Sequence, residues 1–362
     1  MSGTSLDGID LALCDIDEQG YKILSAHTFP YTEEWRRRLS TLEDATALEY
    51  AKANVELGHY FGQKIKAFLD GISVKVDAVA SHGHTIFHQP VGGGATAGGN
   101  PVYGFTTQIG DGDAIAAETG LPVVSNFRTL DVALGGQGAP LVPIGDELLF
   151  SEFDACLNLG GIANISFRSE AGKRVAFDIC PCNMALNRLA ERLGLPYDPQ
   201  GENARRGHSH SCLMARLNDL QYYEELYPKS LGKEWFVSQF WPVIESGGIS
   251  CDGGGETVIC DTLATVTSHI ALQIAKVLGD QKIRTLLVSG GGAFNSYLLE
   301  LVSSYYPSVD ITVPDELIVN YKEALIFALL GYLRLTKKVN TLASVTGARC
   351  DSIGGNVSGL FY

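Results

Sequence analysis

The first ten residues, MSGTSLDGID, crowd Gly3, Thr4, Ser5, Asp7, Gly8 and Asp10 together. Glycine lets a backbone turn with positive φ and come close to a ligand. Hydroxyls and free N–H groups beside it suit phosphate oxygens, and a carboxylate suits a hydrated Mg²⁺. The stretch reads as a phosphate-gripping turn. It is not a Walker A loop, because no Gly-Lys-Ser/Thr follows. An ordinary turn is the plainer reading of such a cluster. Its weight rises because similar loops recur: Gly160-Gly161 between two apolar runs, and SGGGAFN at 289–295 between an apolar run and a helical pattern. Strand, triple glycine and helix start can seat a nucleotide, with backbone against base or ribose and helix N–H groups facing an anion.

Three further places carry chemistry. SHGHT at 81–85 follows a short apolar run, and open α/β sheets bind ligands at such strand ends. His82, His84 and His88 would suit a metal only with a carboxylate at ligand-like spacing, and none accompanies them, so polar substrate contact competes there with a solvated loop. Arg128 closes another apolar run and offers a planar fork for a carboxylate or phosphate; an ordinary surface arginine is the alternative. Asp178 ends the run Val175-Ala176-Phe177, where a carboxylate can serve as a general base or merely as a cap or turn residue.

The elements that position these groups follow from periodicity. Alternation predicts strands at 11–15 and 21–29, and apolar residues at helical spacing from Leu48 to Phe68 predict a helix over 45–69. Further strands are expected at 76–80, 105–109, 122–125, 156–159, 162–167, 285–288 and 311–313. Helices are expected at 113–119, 183–193, 257–278, 296–305 and 323–337; the last would place Glu323 in its first turn, where a helix favours a carboxylate. Residues 201–207 and 228–235 read as loops and 340–359 as irregular. Hairpin and glycine turn appear in each half, a coarse twofold echo.

At 362 residues, two domains are the prior. The chain is 45% hydrophobic with 41 glycines, which fits a loop-rich α/β enzyme better than a helical bundle. No uninterrupted apolar run reaches the roughly 20 residues of a membrane span, and no signal peptide stands at the N-terminus. A net charge of −14 argues against nucleic acid or an anionic membrane as partner, though not against a small anion held in a local positive field. The eight cysteines form no CxxC pair, so reduced thiols are expected; Cys180 and Cys182 read as small residues in a tight turn rather than metal ligands.

Taken together, MSGTSLDGID, SHGHT, QIGD at 108–111, NFR at 126–128, GGQGAPLVP at 135–143, NLGGIANIS at 158–166, FDICPCN at 177–183, SGGGAFN, EALIFALLG at 323–331 and SVTGA at 344–348 resemble the anhydro-N-acetylmuramic acid kinase family. That family lies within the actin, sugar kinase and heat-shock chaperone superfamily, and the blocks keep their order across nearly the whole chain. The resemblance implies an α/β protein with two actin-like (ribonuclease H-like) domains flanking a nucleotide cleft. The first would span 1–145 with the tail from about 338 to 362, the second 146–337. It implies a bacterial cytoplasmic kinase of peptidoglycan recycling that uses ATP and Mg²⁺. Such a kinase opens 1,6-anhydro-N-acetylmuramic acid with water and yields N-acetylmuramic acid 6-phosphate. A homodimer is also implied.

Carried over, Gly3, Thr4, Ser5, Leu6, Asp7, Gly8, Ile9 and Asp10 form the first phosphate loop, and Gly160, Gly161 and Asn164 the second. Gly290, Gly291, Gly292 and Asn295 form the adenosine loop. Asp178 matches the catalytic base, His82, Thr85, Gln108, Arg128 and Glu323 the sugar side, and Asp7 a water-mediated Mg²⁺ ligand.

The chain departs from the family pattern in three places. Cys180 and Cys182 replace glycines, which questions any positive-φ backbone in that turn. Asn126 stands where aspartate is usual. Almost nothing precedes MSGTS, where relatives carry an apolar first strand, so a short or missing first strand is expected. Two other readings remain open: a plain amino-sugar kinase without ring hydrolysis, and an actin-like nucleotide-binding switch.

Overall fold

The structure is a computed structural model that describes residues 1–3, 6–18, 20–91, 96–97, 100–247 and 255–359. Thr4 and Ser5 of the first loop lie outside the described residues. The chain parts into two compact units, one of residues 1–149 with 321–362, the other of 150–320.

In the first unit, β1 (Gly8–Ile16) and β2 (Tyr21–Pro30) form an antiparallel hairpin with a bulge at Leu13/Cys14. Gly8 is required there, because a side chain would strike the carbonyl of Phe29 across the hairpin. The strand expected at 76–80 shrinks to β3 (Val79–Ala80). It is followed by β4 (His84–Gln89), which pairs with β5 (Phe105–Ile109), so His84 and Thr85 of the SHGHT block are strand rather than loop. β6 (Val123–Ser125) pairs parallel with β3 and antiparallel with Asn356–Ser358, in a tail that had read as irregular.

Two helices entered by threonine caps follow the hairpin. Glu33–Ser40, which periodicity had not shown, is capped by Thr32; Ala47–Leu69 opens with a full capping box of Thr46 and Glu49. The long helix buries Leu57, Phe61 and Ile65 against Ile9, Ile115 and Val123 on one face of the sheet. On the other face Val124 and Phe127 pack on Ile326, Phe327 and Leu330 of the helix Glu316–Leu335. Neighbours Val123 and Val124 thus face opposite layers, as strand geometry demands.

That last helix starts seven residues before its expected start at 323, so Glu323 sits mid-helix and not in the first turn. Its backbone leaves helical geometry at Tyr321 (φ −121°, ψ 15°), and from Tyr321 onward it belongs to the first unit. The return to the first unit therefore falls at 321 instead of about 338, because the apolar face of 326–333 finds its partners there.

The second unit holds one five-stranded sheet. In order, β7 (Ala155–Leu159), β8 (Ile162–Arg168), β9 (Arg174–Pro181), β10 (Thr285–Ser289) and β11 (Asp310–Thr312) are arranged β9-β8-β7-β10-β11. β8 runs antiparallel to both neighbours, while β7, β10 and β11 are parallel. This third-second-first-fourth-fifth order with an antiparallel second strand is the ribonuclease H-like pattern of an actin-like half.

Glu256–Asp280 is long and apolar enough to cross a membrane by length and composition, but most of that span is buried inside the unit. Leu263, Val266, Ile270 and Ile274 are sealed against the sheet, each contributing about 1.5–3 kcal/mol through its buried surface. Residues 202–206, expected as loop, form a short helix under Glu256–Asp280.

Candidate functional site

In the first unit four of the residues expected on the sugar side form two pairs, His82 with Arg128 and Gln108 with Thr85. His82 is buried, and its Nδ1 lies 2.9 Å from the carbonyl of Gly83. A carbonyl only accepts, so Nδ1 carries the proton and Nε2 offers a lone pair. Arg128 fills it, donating from Nε at 3.0 Å and Nη2 at 2.9 Å, while its Nη1 donates to the carbonyl of Gly138 at 2.7 Å. Burial, then the Arg128 charge, holds His82 well below its ordinary pKa, in keeping with a neutral ring. Burial also pushes Arg128 down to about 10, against the charges of Glu323 and Asp131. The fork read as open to an anion is thus largely committed to protein partners.

Gln108 Nε2 donates to Thr106 Oγ1 at 2.8 Å and to Thr85 Oγ1 at 3.3 Å. Its Oε1 is buried with no hydrogen-bond partner among the described residues, an acceptor aimed at something else. Glu323 stands solvent-exposed on its helix. His84 is drawn inward instead, bonded through Nδ1 to Ser2 Oγ at 2.8 Å, which in turn meets Tyr31 Oη at 2.6 Å; burial takes its pKa down to about 4. Asn126 adopts φ 57°, a left-handed backbone that asparagine tolerates well, and its Oδ1 accepts from Thr129 Oγ1.

The amino-terminal loop exposes Gly3 and Asp7 and turns through Leu6 at φ 58°, strained for a side-chain-bearing residue. Asp10 Oδ1 accepts from Thr28 Oγ1 at 2.7 Å, and Ile9 is core. Within this block, then, Gly3 and Asp7 present themselves outward, whereas Gly8, Ile9 and Asp10 shape the hairpin. No group of three or more His, Cys, Asp or Glu converges among the described residues. Such a donor set fits a cation carried chiefly by phosphate and water, not an all-protein cage.

In the second unit, Asp178 sits on β9 at a bulge: Ala163 pairs with Cys180 and Asn164 with Asp178, leaving Ile179 extra. Oδ2 accepts from the Leu231 N–H at 2.8 Å, and Oδ1 takes no hydrogen bond among the described residues. Burial raises the Asp178 pKa, opposed by that N–H. Its backbone is clasped as well, since the Tyr222 hydroxyl donates to its carbonyl at 2.5 Å and its N–H donates to the Lys229 carbonyl at 3.3 Å. Lys229 Nζ lies 4.4 Å over the Tyr222 ring. Sequence reasoning missed this clasp of 222–231; Lys229 in a polar loop was its faint signal.

The family's glycine positions are met without left-handed backbone. Cys182 has φ −123°, and both cysteines are fully buried. The turn is held by Asn183 N donating to the Gly160 carbonyl at 3.1 Å and Cys182 N to that of Gly161 at 2.8 Å. Gly161 and Gly291 lie exposed. Gly290 has φ 80°, and a Cβ there would lie 2.5 Å from Asn158 Oδ1, so this position demands glycine. Asn295 is buried and caps the helix Ser296–Tyr305 by accepting from Leu298 N at 3.0 Å. It shapes the loop with its side chain.

Two α/β units, one with the ribonuclease H-like strand order, glycine turns at strand ends and a partly buried carboxylate define an actin-like phosphotransferase. A family model described as anhydro-N-acetylmuramic acid kinase matches residues 1–359. Enzymes of that name from Sulfurovum sp. and Vibrio cholerae are 32% and 33% identical over 99% and 98% of this chain, and over 97% and 96% of their own. Another from Actinobacillus pleuropneumoniae is 34% identical over 96% of this chain and 95% of its own. The chain belongs to the anhydro-N-acetylmuramic acid kinase family. A ROK family glucokinase from Streptomyces griseus, solved with glucose and AMPPNP, is 14% identical over 87% of this chain and 93% of its own, at a TM-score of 0.38, too loose an overlay to carry an argument.

Proposed function

We propose that the protein phosphorylates 1,6-anhydro-N-acetylmuramic acid with ATP while water opens the anhydro ring, giving N-acetylmuramic acid 6-phosphate and ADP. The observation that carries this reading is Asp178. It is a carboxylate of raised pKa, fixed through one oxygen by the Leu231 N–H, with the other free to receive a proton. Water is a weak nucleophile until a base takes its proton. As the water oxygen bonds to the anomeric carbon, its proton passes to Asp178 and the bond from that carbon to the 6-oxygen breaks. The released 6-oxygen takes the γ-phosphoryl group, and the bond to the ADP oxygen breaks. Position and charge supply most of the rate in such a transfer.

The remaining residues fall into roles by chemistry. Gly3 to Asp10, with Gly160, Gly161 and Asn164, would contact phosphate; Gly290 to Gly292 would present backbone to the adenosine. Gln108 Oε1 would accept from a sugar hydroxyl or the acetamido N–H, since a buried acceptor without a partner costs about 1–3 kcal/mol. Arg128, oriented by His82, with Thr85 and Glu323, would complete the sugar contacts. Asp7 would hold Mg²⁺ through water, and the ion would offset phosphate charge when bound. This assignment places the protein in the cytoplasm, in peptidoglycan recycling, where reduced cysteines are at home.

Mass spectrometry of products formed in oxygen-18 water tests the reading. One heavy oxygen at the anomeric position of a 6-phosphate is expected. A 6-phosphate made only from N-acetylmuramic acid or N-acetylglucosamine, with the anhydro sugar untouched, would overturn it in favour of a plain amino-sugar kinase. ATP bound with no sugar consumed would favour a nucleotide switch.

A further inference from the structure

The blocks GGQGAPLVP at 135–143 and SVTGA at 344–348 meet at one buried side chain. Asp131 lies in the short helix Thr129–Ala133 and is 1% exposed. Its Oδ2 accepts from the Gly138 N–H at 2.7 Å. Its Oδ1 accepts from the hydroxyl of Thr346, a buried residue 215 positions further along, also at 2.7 Å. A carboxylate out of water is costly unless it is hydrogen-bonded, and here each oxygen has its donor.

The main chains of the two blocks are joined around it. Gln137 N–H donates to the Thr346 carbonyl at 2.8 Å, Arg349 N–H to the Leu134 carbonyl at 3.2 Å, and Gly136 N–H to the Asp131 carbonyl at 2.9 Å. A side chain at Gly136 would strike both the Asp131 carboxylate and Ala348, so the loop lies directly against them. Thr346 has one hydroxyl proton. The carboxylate takes it at 2.7 Å, in preference to the Leu342 carbonyl at 3.3 Å.

Gly138 is the link to Arg128. Its N–H is spent on Asp131, and its carbonyl accepts from Arg128 Nη1 at 2.7 Å. A residue tied through both polar groups passes a displacement at one on to the other. The far side of the guanidinium is aimed by His82. Arg128 is thus set from two directions, by a ring nitrogen and by a carbonyl, and the carbonyl owes its place to Asp131. The charges of Asp131 and Glu323 also support that of Arg128 against burial.

We infer that Asp131 is a positioning residue for Arg128: clamped by Thr346, it fixes the Gly138 carbonyl that aims the guanidinium. The tail block 344–348 thereby acts on the candidate site through one carboxylate. The effect on turnover rests on the sugar-side reading of Arg128; the geometry does not.

The test uses the full chain with Thr346→Val, which removes the hydroxyl, and Thr346→Ser, which keeps it. Hydrogen exchange of the Arg128 Nε–H, followed by nitrogen-15 NMR on the ligand-free protein, is the first readout. Exchange is expected to rise about tenfold or more with valine and to stay within about twofold of wild type with serine. The KM for 1,6-anhydro-N-acetylmuramic acid should rise about fivefold or more with valine, with the KM for ATP unchanged. In an Arg128→Lys background valine should add nothing to the sugar KM, because its effect runs through the arginine. A structural role alone would lower the melting midpoint and leave Nε–H exchange as it was; that result, or KM effects that multiply in the double variant, would overturn the inference. If Arg128→Lys leaves the sugar KM unchanged, the sugar-side reading falls, and Nε–H exchange still decides the positioning. Asp131→Asn gives an independent check. Its carbonyl can accept from Gly138 while its amide donates to the Thr346 hydroxyl, so the Nε–H should stay protected; fast exchange there would overturn the inference, since charge and not aim would then hold the arginine.

Discussion

The guanidinium of Arg128 spends two of its N–H groups on a single imidazole nitrogen, Nε2 of His82, at 3.0 and 2.9 Å. The histidine is thereby fixed as the neutral Nδ1–H tautomer, and the arginine is fixed in direction by a partner that carries no charge. A carboxylate in place of His82 would add a charge of its own; a neutral ring orients the guanidinium without one, and Glu323 and Asp131 supply the negative charge near it.

The first prediction concerns that ring. His82 should stay neutral from pH 8 down past its ordinary titration range, because burial and Arg128 both oppose a second proton. Nitrogen-15 shifts should show the Nδ1–H tautomer unchanged between about pH 5.5 and 8, and a titration centred near 6.5 would refute the assignment.

Arg128→Lys removes the planar fork and strands the Nε2 lone pair of His82 and the Gly138 carbonyl. A loss of about 1–3 kcal/mol in unfolding free energy is expected, with the KM for the sugar raised about tenfold and the KM for ATP unchanged. A shift confined to ATP would contradict the sugar-side role.

Asp178→Asn should lower kcat by about 10²–10⁴ while ATP binding, followed by calorimetry, stays within about twofold. Stability should move the other way. The folded pKa of Asp178 is raised, so the native state holds its proton more tightly than the unfolded chain. Its contribution to stability is full below the unfolded pKa and is lost as pH rises through the folded one. The neutral Asn variant should therefore melt at or above the wild-type midpoint at pH 7. The acid limb of kcat/KM should lie above the ordinary aspartate range, because the base works only when ionised. Wild-type turnover in Asp178→Asn would end the mechanism.

Lys322 and Asp146 form a buried ion pair at 2.7 Å, with side chains 6% and 5% exposed. Lys322→Met removes the cation of this buried pair and should destabilise the fold by about 3–5 kcal/mol. Denaturant unfolding would show it; a change under about 1 kcal/mol would mean that the pair is not a buried charge pair in solution.

Gly290→Ala forces a Cβ to within 2.5 Å of Asn158 Oδ1 on a left-handed backbone. Weaker ATP binding, by about tenfold or more, is expected with sugar affinity kept. Unchanged ATP affinity would remove this loop from the nucleotide site.

What the sequence determined by itself is local or repeating. The period of Ala47–Leu69 and the Thr46–Glu49 box that starts it need no distant partner. The ten ordered blocks placed the chain in its family. Helix ends escaped it: Glu316–Leu335 begins before 323, and of its first five residues only Val319 is buried in a core.

Pairings between distant residues were decided only in three dimensions. His82 and Arg128 are 46 residues apart, and Tyr222 and Leu231 reach Asp178 across 44 and 53. Composition cannot tell whether an arginine's fork faces solvent or a ring, because that depends on which strand ends lie side by side.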